Sequence, residues 1–177
     1  MTDNSSQPAA LRAVAASASA IRLSRVVDAL DANFYGNVHG GAIMRLVDEA
    51  AGVVASRHSG GRAVTAVVDE MQFLVPVHVG DIVTCDARAN WTGRTSCEIG
   101  VRVTAQPWDQ AEEQRRHVAS AYLVFVAIDE FERPRPIPQV MPENDEDRRR
   151  FREAEIRRGT RLARREAILR SRERETS

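Results

Sequence analysis

From Gly41 to about Arg57, apolar residues recur at three- and four-residue spacing: Ile43, Leu46, Val47, Ala50 and Val54. That is the period of a helix with one buried stripe. Gly60 and Gly61 follow, where a helix C-terminus favours glycine. Arg62 to Leu74 is rich in Val and Ala and reads as a strand, closed by Pro76 and the Gly80-Asp81 turn. The clearest alternation comes next. Val83, Cys85, Ala87, Ala89 and Trp91 alternate with polar residues, a turn falls at Gly93, and Cys97, Ile99, Val101, Val103 and Ala105 alternate again. A period of two on both sides of a short turn predicts a β-hairpin. Pro107 to Arg116 is a polar connection, and Val118 to Ile128 is almost wholly apolar, as expected of a central strand covered on both faces. With a short strand around Ile21 to Ala29, the pattern predicts an α+β domain of five antiparallel strands and one long helix.

The ends differ in pattern from this middle. Residues 1–19 are rich in Ala and Ser and predict a loose, partly helical tail ahead of a domain spanning 20–130. Asp3 and Arg12 argue against a secretory leader. Residues 131–177 begin with four prolines among Glu132 to Asn144 and continue as an Arg/Glu/Ala-rich stretch. Its apolar residues, such as Ile156, Leu162, Ile168 and Leu169, are sparse. A Pro-rich linker and a solvated helical arm laced with Glu/Arg pairs are expected, with an arm packing on a neighbouring subunit or on RNA as the alternative.

Charge and composition exclude several classes. The formal net charge is zero and all 25 basic residues are Arg, so nothing global favours nucleic acid or an anionic membrane. No apolar run approaches the ~20 residues of a membrane span. Cys85 and Cys97 have no metal spacing and are expected to be reduced thiols of a cytoplasmic protein. His39, His58, His78 and His117 are too scattered for a metal set, so no metal is expected.

The long helix carries the candidate chemistry. Asp48 lies off the apolar stripe, with Met44, Ala51, Gly52 and Ala55 as helical neighbours. A mid-helix Asp is a poor helix former, and the small residues around it leave room for another backbone or a ligand. Alternatively, Asp48 and Glu49 face water or pair with Arg45. At the helix start, Gly40 and Gly41 leave backbone N–H groups approachable at a positive helix end, which suits an oxyanion; an ordinary loop is the alternative. Asn33 and His39 are polar loop residues that serve equally as turn formers or as site groups.

These residues resemble a known family. Asn33 to Ala51 reads N-x-x-G-N-V-H-G-G-x-I-M-x-x-x-D-E-A-A. With VVDEMQFLVPVHVGD, GRTSCEIGVRV and FVAID downstream, the chain resembles the acyl-CoA thioesterases of the hotdog fold, in the branch of the cytosolic long-chain acyl-CoA hydrolases and their bacterial single-domain relatives. The resemblance covers about Arg22 to Asp129. It implies a five-stranded antiparallel sheet wrapped around one helix, and hydrolysis of acyl-CoA to fatty acid and CoA with no cofactor beyond the CoA of the substrate. It implies a homodimer at least, extended to a trimer of dimers. Asn33 and Asp48 match the family's catalytic Asn and acid, contributed by opposite units. His39, Gly40 and Gly41 match its carbonyl-binding loop. Arg94, Thr95 and Ser96 match a turn near CoA, and Val68 and Met71 a strand lining the site. Asp48 is then a general base or a nucleophile. A non-catalytic acyl-CoA binder and a hotdog hydratase remain as other readings.

Overall fold

The computed structural model describes residues 11–110 and 114–175. The polar connection near residue 111 and the first ten residues of the expected tail therefore lie partly or wholly outside the described residues. The main elements are β1 (Val14–Ala15), β2 (Ile21–Val26), α1 (Gly40–Ser59), β3 (Ala63–Phe73), β4 (Asp81–Thr92), β5 (Ser96–Pro107), β6 (Arg116–Ala127), β7 (Val140–Met141) and α2 (Asp145–Glu175). Five strands form one antiparallel sheet in the order β2-β4-β5-β6-β3. The expected hotdog fold is present: α1 is the filling and the sheet is the wrap.

The apolar stripe of α1 explains the packing. Ile43, Leu46, Val47, Ala50 and Val54 are buried together with Val83, Cys85, Ile99, Val103 and Leu123 from the inner face of the sheet. Gly60 ends α1 at φ 69, a left-handed conformation that favours glycine. Cys85 and Cys97 are free and buried, and burial pushes both thiols up to about 12.

Strand β3 is an edge strand with two bulges, at Ala66 and Asp69, where the register with β6 shifts. A bulge adds one residue and turns the following side chains to the other face. Val68 stands opposite Leu123 and Met71 opposite Ala121, both core residues, so Val68 and Met71 share the inner face although three residues apart. In a regular strand that spacing would put them on opposite faces.

The ends depart from expectation. Val14–Ala15 pairs in parallel with Val140–Met141, so part of the expected tail and part of the expected linker form a small second sheet. Pro138 and Pro142 flank that strand, outside its paired residues. Buried His58 ties this layer to α1, with Nε2 3.2 Å from the Pro138 carbonyl and Nδ1 3.4 Å from Ser19 Oγ. The first half of α2 keeps the expected Glu/Arg pairs on its exposed side, such as Arg150–Glu146 at 2.6 Å, but its other side is docked rather than solvated. It crosses the outer face of the sheet diagonally, with Ala154 and Asp147 buried and Phe151 half-buried. Arg88 of β4 forms an ion pair with Asp147 at 3.0 Å, and Arg157 donates to Glu98 of β5 at 2.7 Å. The Arg157 guanidinium stacks 3.6 Å from the Tyr122 ring of β6, and Arg161 pairs with Asp69 of β3. Charged side chains dock this helix, which is why a search for an apolar stripe reads it as solvated. No helix among the described residues is long and apolar enough to cross a membrane.

Candidate active site

Helix α1 begins with a side-chain cap. His39 is its N-cap residue, and His39 Nδ1 accepts the Gly41 N–H at 2.9 Å. The Gly41 amide, expected to be open, is therefore engaged by the His39 ring. The Gly40 N–H has no partner among the described residues and is the open donor at the helix mouth. A Cβ on Gly40 would stand 3.4 Å from the Phe73 ring, so glycine also suits the close approach of that ring.

Asn33 is held in the loop that leads into this mouth. Its Oδ1 accepts from the backbone N–H of Tyr35 at 2.9 Å and of Asn37 at 3.2 Å. The oxygen is thus committed, and the Nδ2 group has no partner among the described residues and is left to donate outward. Val38 N–H donates to the Val77 carbonyl at 2.8 Å and His39 N–H to Asp31 at 2.7 Å, which pins the loop to its neighbours. Asn33, Gly40, Ile43, Phe73 and Val77 line a cavity of about 340 Å³. A larger cavity of about 450 Å³ lies on the outer face under α2, beside Arg88, Arg102 and Tyr122, and touches none of these residues.

Asp48 lies on the exposed side of α1, facing β3. Thr65 Oγ1 donates to Asp48 Oδ1 at 2.7 Å, while Glu49 is the residue that pairs with Arg45, at 2.8 Å. The two neighbouring acids thus have different partners. Thr65 stands opposite Phe125 on the inner face. It escapes a sequence reading because a threonine in a strand is ordinary; only the register brings it to Asp48.

The turn between β4 and β5 holds Arg94 and Thr95, and Ser96 opens β5. Gly93 N–H bonds the Ser96 carbonyl at 2.7 Å, and the Thr95 carbonyl accepts from Ala127 at 2.9 Å. The turn therefore sits beside the end of β6 and the start of β3, the end at which Thr65 lies. The Arg94 side chain is exposed and has no partner among the described residues.

Within one chain these groups separate into two sets. Gly40 and Asp48 are eight residues apart on one helix, about 12 Å along its axis. Phe73, beside the helix mouth, and Thr65, beside Asp48, are at opposite ends of β3. The structure does not bring Asn33 and Asp48 of the same chain together.

A sheet folded round one helix, with a carboxylate on that helix and a bare N–H at its mouth, is the hotdog architecture of a thioesterase. A family model described as the thioesterase superfamily matches residues 35–111. The mouse cytosolic acyl coenzyme A thioester hydrolase is 37% identical over 131 residues, 74% of this chain and 34% of the relative. The chain spans about a third of the length of that relative. A Bacillus subtilis protein described as an uncharacterized acyl-CoA thioester hydrolase is 35% identical over 127 residues, covering 72% of each chain. Among solved structures, an acyl-CoA hydrolase from Staphylococcus aureus in complex with butyryl coenzyme A and coenzyme A superposes at TM-score 0.82, with 31% identity over 93% of this chain and 99% of its own. Variants of that enzyme with an Asp, an Asn or a Thr replaced by Ala match as well. An apo hexameric acyl-CoA thioesterase gives TM-score 0.82 at 32% identity, over 87% and 97% of the two chains. The chain belongs to the thioesterase superfamily, among the acyl-CoA thioester hydrolases.

Proposed function

We propose that this protein hydrolyses acyl-coenzyme A to a free acid and coenzyme A, at sites shared by two copies of the chain. The observation that carries the reading is the Asp48–Thr65 hydrogen bond, which holds a carboxylate at the open edge of the sheet. The relatives' described activity supports the substrate class. In the Staphylococcus enzyme, the Asn, Asp and Thr replaced by Ala are spaced fifteen and seventeen residues apart. Asn33, Asp48 and Thr65 stand at the same spacings.

Strand β3 is an unpaired edge whose exposed side chains include Val64, Val68 and Phe73. Antiparallel pairing of two β3 edges about a two-fold axis sets the start of one strand beside the end of the other. Thr65 and Asp48 of one chain then face Phe73, Gly40 and Asn33 of its partner. Asp48 removes a proton from water as the water oxygen attacks the thioester carbon. The carbonyl oxygen takes up negative charge and is met by the Gly40 N–H and Asn33 Nδ2, fixed donors at a positive helix end. Collapse breaks the C–S bond, and the departing thiolate takes the proton. Val68 and Met71 border the path, and Arg94 at the adjoining turn is a free guanidinium for the phosphates of coenzyme A. Further assembly into a trimer of dimers follows the hexameric relative.

Mixing two inactive variants tests the reading. Asn33→Ala and Asp48→Ala each lower thiol release from acyl-CoA about 100-fold or more. Unfolding and refolding them together makes mixed dimers, in which one of two sites is intact. Activity then returns to about a quarter of wild type for random pairing. No recovery in verified mixed dimers would place both groups in one chain, and no thiol release by wild type on short, medium or long acyl chains would remove the hydrolase reading.

A further inference from the structure

Helix α2 is longer than the sheet it covers. Asp147 forms an ion pair with Arg88 of β4 and Arg161 pairs with Asp69 of β3, so fourteen residues carry the helix from the second strand to the edge strand. The helix continues another fourteen residues, from Arg161 to Glu175. That extension is about 21 Å long, beyond the last strand of its own sheet.

The docked face continues into the extension. Leu162 and Leu169 stand eleven and eighteen residues after Phe151, close to three and five whole helical turns. Ile168 is seven residues, two turns, after Arg161. Phe151 packs against the core and Arg161 pairs with β3, so Leu162, Ile168 and Leu169 point to the side on which the sheet lies. In the single chain Leu162, Ile168 and Leu169 are 46%, 46% and 48% exposed, with no sheet beneath them. A solvated Arg/Glu helix has no need of an apolar row on its docking side.

We infer that the second half of α2 packs on the outer face of the partner's sheet, antiparallel beside the partner's own α2, as a strap joining two copies of this chain across the β3 edge. The inference rests on the β3-paired dimer proposed above. Continuation of the sheet beyond β3 supplies strands at a spacing of about 4.8 Å. Fourteen residues already carry α2 over three strand intervals, and the same length carries it over about three more. The occupant is a second copy because the continuing sheet lies at the height and slope of the first. Each copy gives a strap and receives one.

Two full-length variants test it: Leu162→Ala/Ile168→Ala/Leu169→Ala, which keeps helix propensity, and Leu162→Glu/Leu169→Glu, which places charge on the row. Analytical ultracentrifugation measures dimer dissociation, and hydrogen exchange reads residues 162–172. The strap predicts slow exchange there in the wild-type dimer, fast exchange in both variants, and dimer association weakened at least about ten-fold with circular dichroism unchanged. A wild-type dimer with fast exchange at 162–172, or variants that dimerise as tightly as wild type, would overturn the strap and leave the β3 pairing standing. A wild-type protein that stays monomeric would instead remove the paired dimer itself.

Discussion

At the level of single residues, the position of a polar group is less informative than its partner. Asp48 was legible as an anomaly, an acid among small residues in an apolar helix. That Glu49 takes Arg45 and Asp48 takes Thr65 is a property of the folded register. In the proposed mechanism Thr65 is a positioning residue, because it reaches the reacting atoms only through Asp48. Thr65→Val should lower kcat roughly ten-fold, as expected for loss of a hydrogen bond to a charged group, while KM changes little. Thr65→Ser, which restores the hydroxyl, should recover most of the rate in a thiol-release assay. His58 gives a separate prediction about pH. Burial holds its imidazole below the ordinary value of 6.5, opposed by the bond to the Pro138 carbonyl. The unfolded chain takes up a proton near 6.5 that the folded chain resists, so stability linked to His58 is complete above that pH and falls as pH drops below it. Thermal melts from pH 8 to pH 5 should fall less steeply for His58→Gln than for wild type.

At the level of elements, α2 shows how charge can dock a helix. Glu98 is 2% exposed and is held by Arg157, which also covers the Tyr122 ring. Removing Arg157 alone leaves a buried carboxylate without its cation, a change of about 3–5 kcal/mol. Arg157→Ala should therefore lower the melting temperature markedly. Arg157→Met combined with Glu98→Leu should recover much of the loss, since an apolar pair of similar size avoids the desolvation of both charges. A double-mutant melting series measures this. The two bulges of β3 matter at the same scale. They put Thr65, Val68 and Met71 on the inner face and turn Asp69 toward α2. One strand thus supports the candidate site on one side and the helix dock on the other.

At the level of the whole molecule, the separation of the two half-sites is the main consequence of the fold. The helix mouth and Asp48 lie about 12 Å apart along α1, so in the proposed dimer a single chain presents the two halves of different sites. Val64→Arg places a charge in the exposed apolar edge of β3, outside the hydrophobic core and outside the candidate site. It should yield a folded species of reduced mass by light scattering, with thiol release reduced in proportion to the dimer lost. Full activity in a verified monomer would contradict a shared site.

The sequence by itself determined the five strands, the long helix and the candidate groups Asn33, His39, Gly40 and Asp48. Periodicity and local residue chemistry act over a few residues and are written along the chain. It also carried the resemblance, because the four motifs keep their order and spacing. It did not determine which of the two amides at the helix mouth stays open. The tertiary structure decided that, because the His39 ring folds back on Gly41 and leaves Gly40 free. It also brought Thr65 to Asp48, set Val14–Ala15 against Val140–Met141, and laid α2 on the sheet. Each of these joins residues distant in sequence. Their partners are fixed by strand register and by the burial of paired charges, neither of which leaves a periodic trace in one segment of chain.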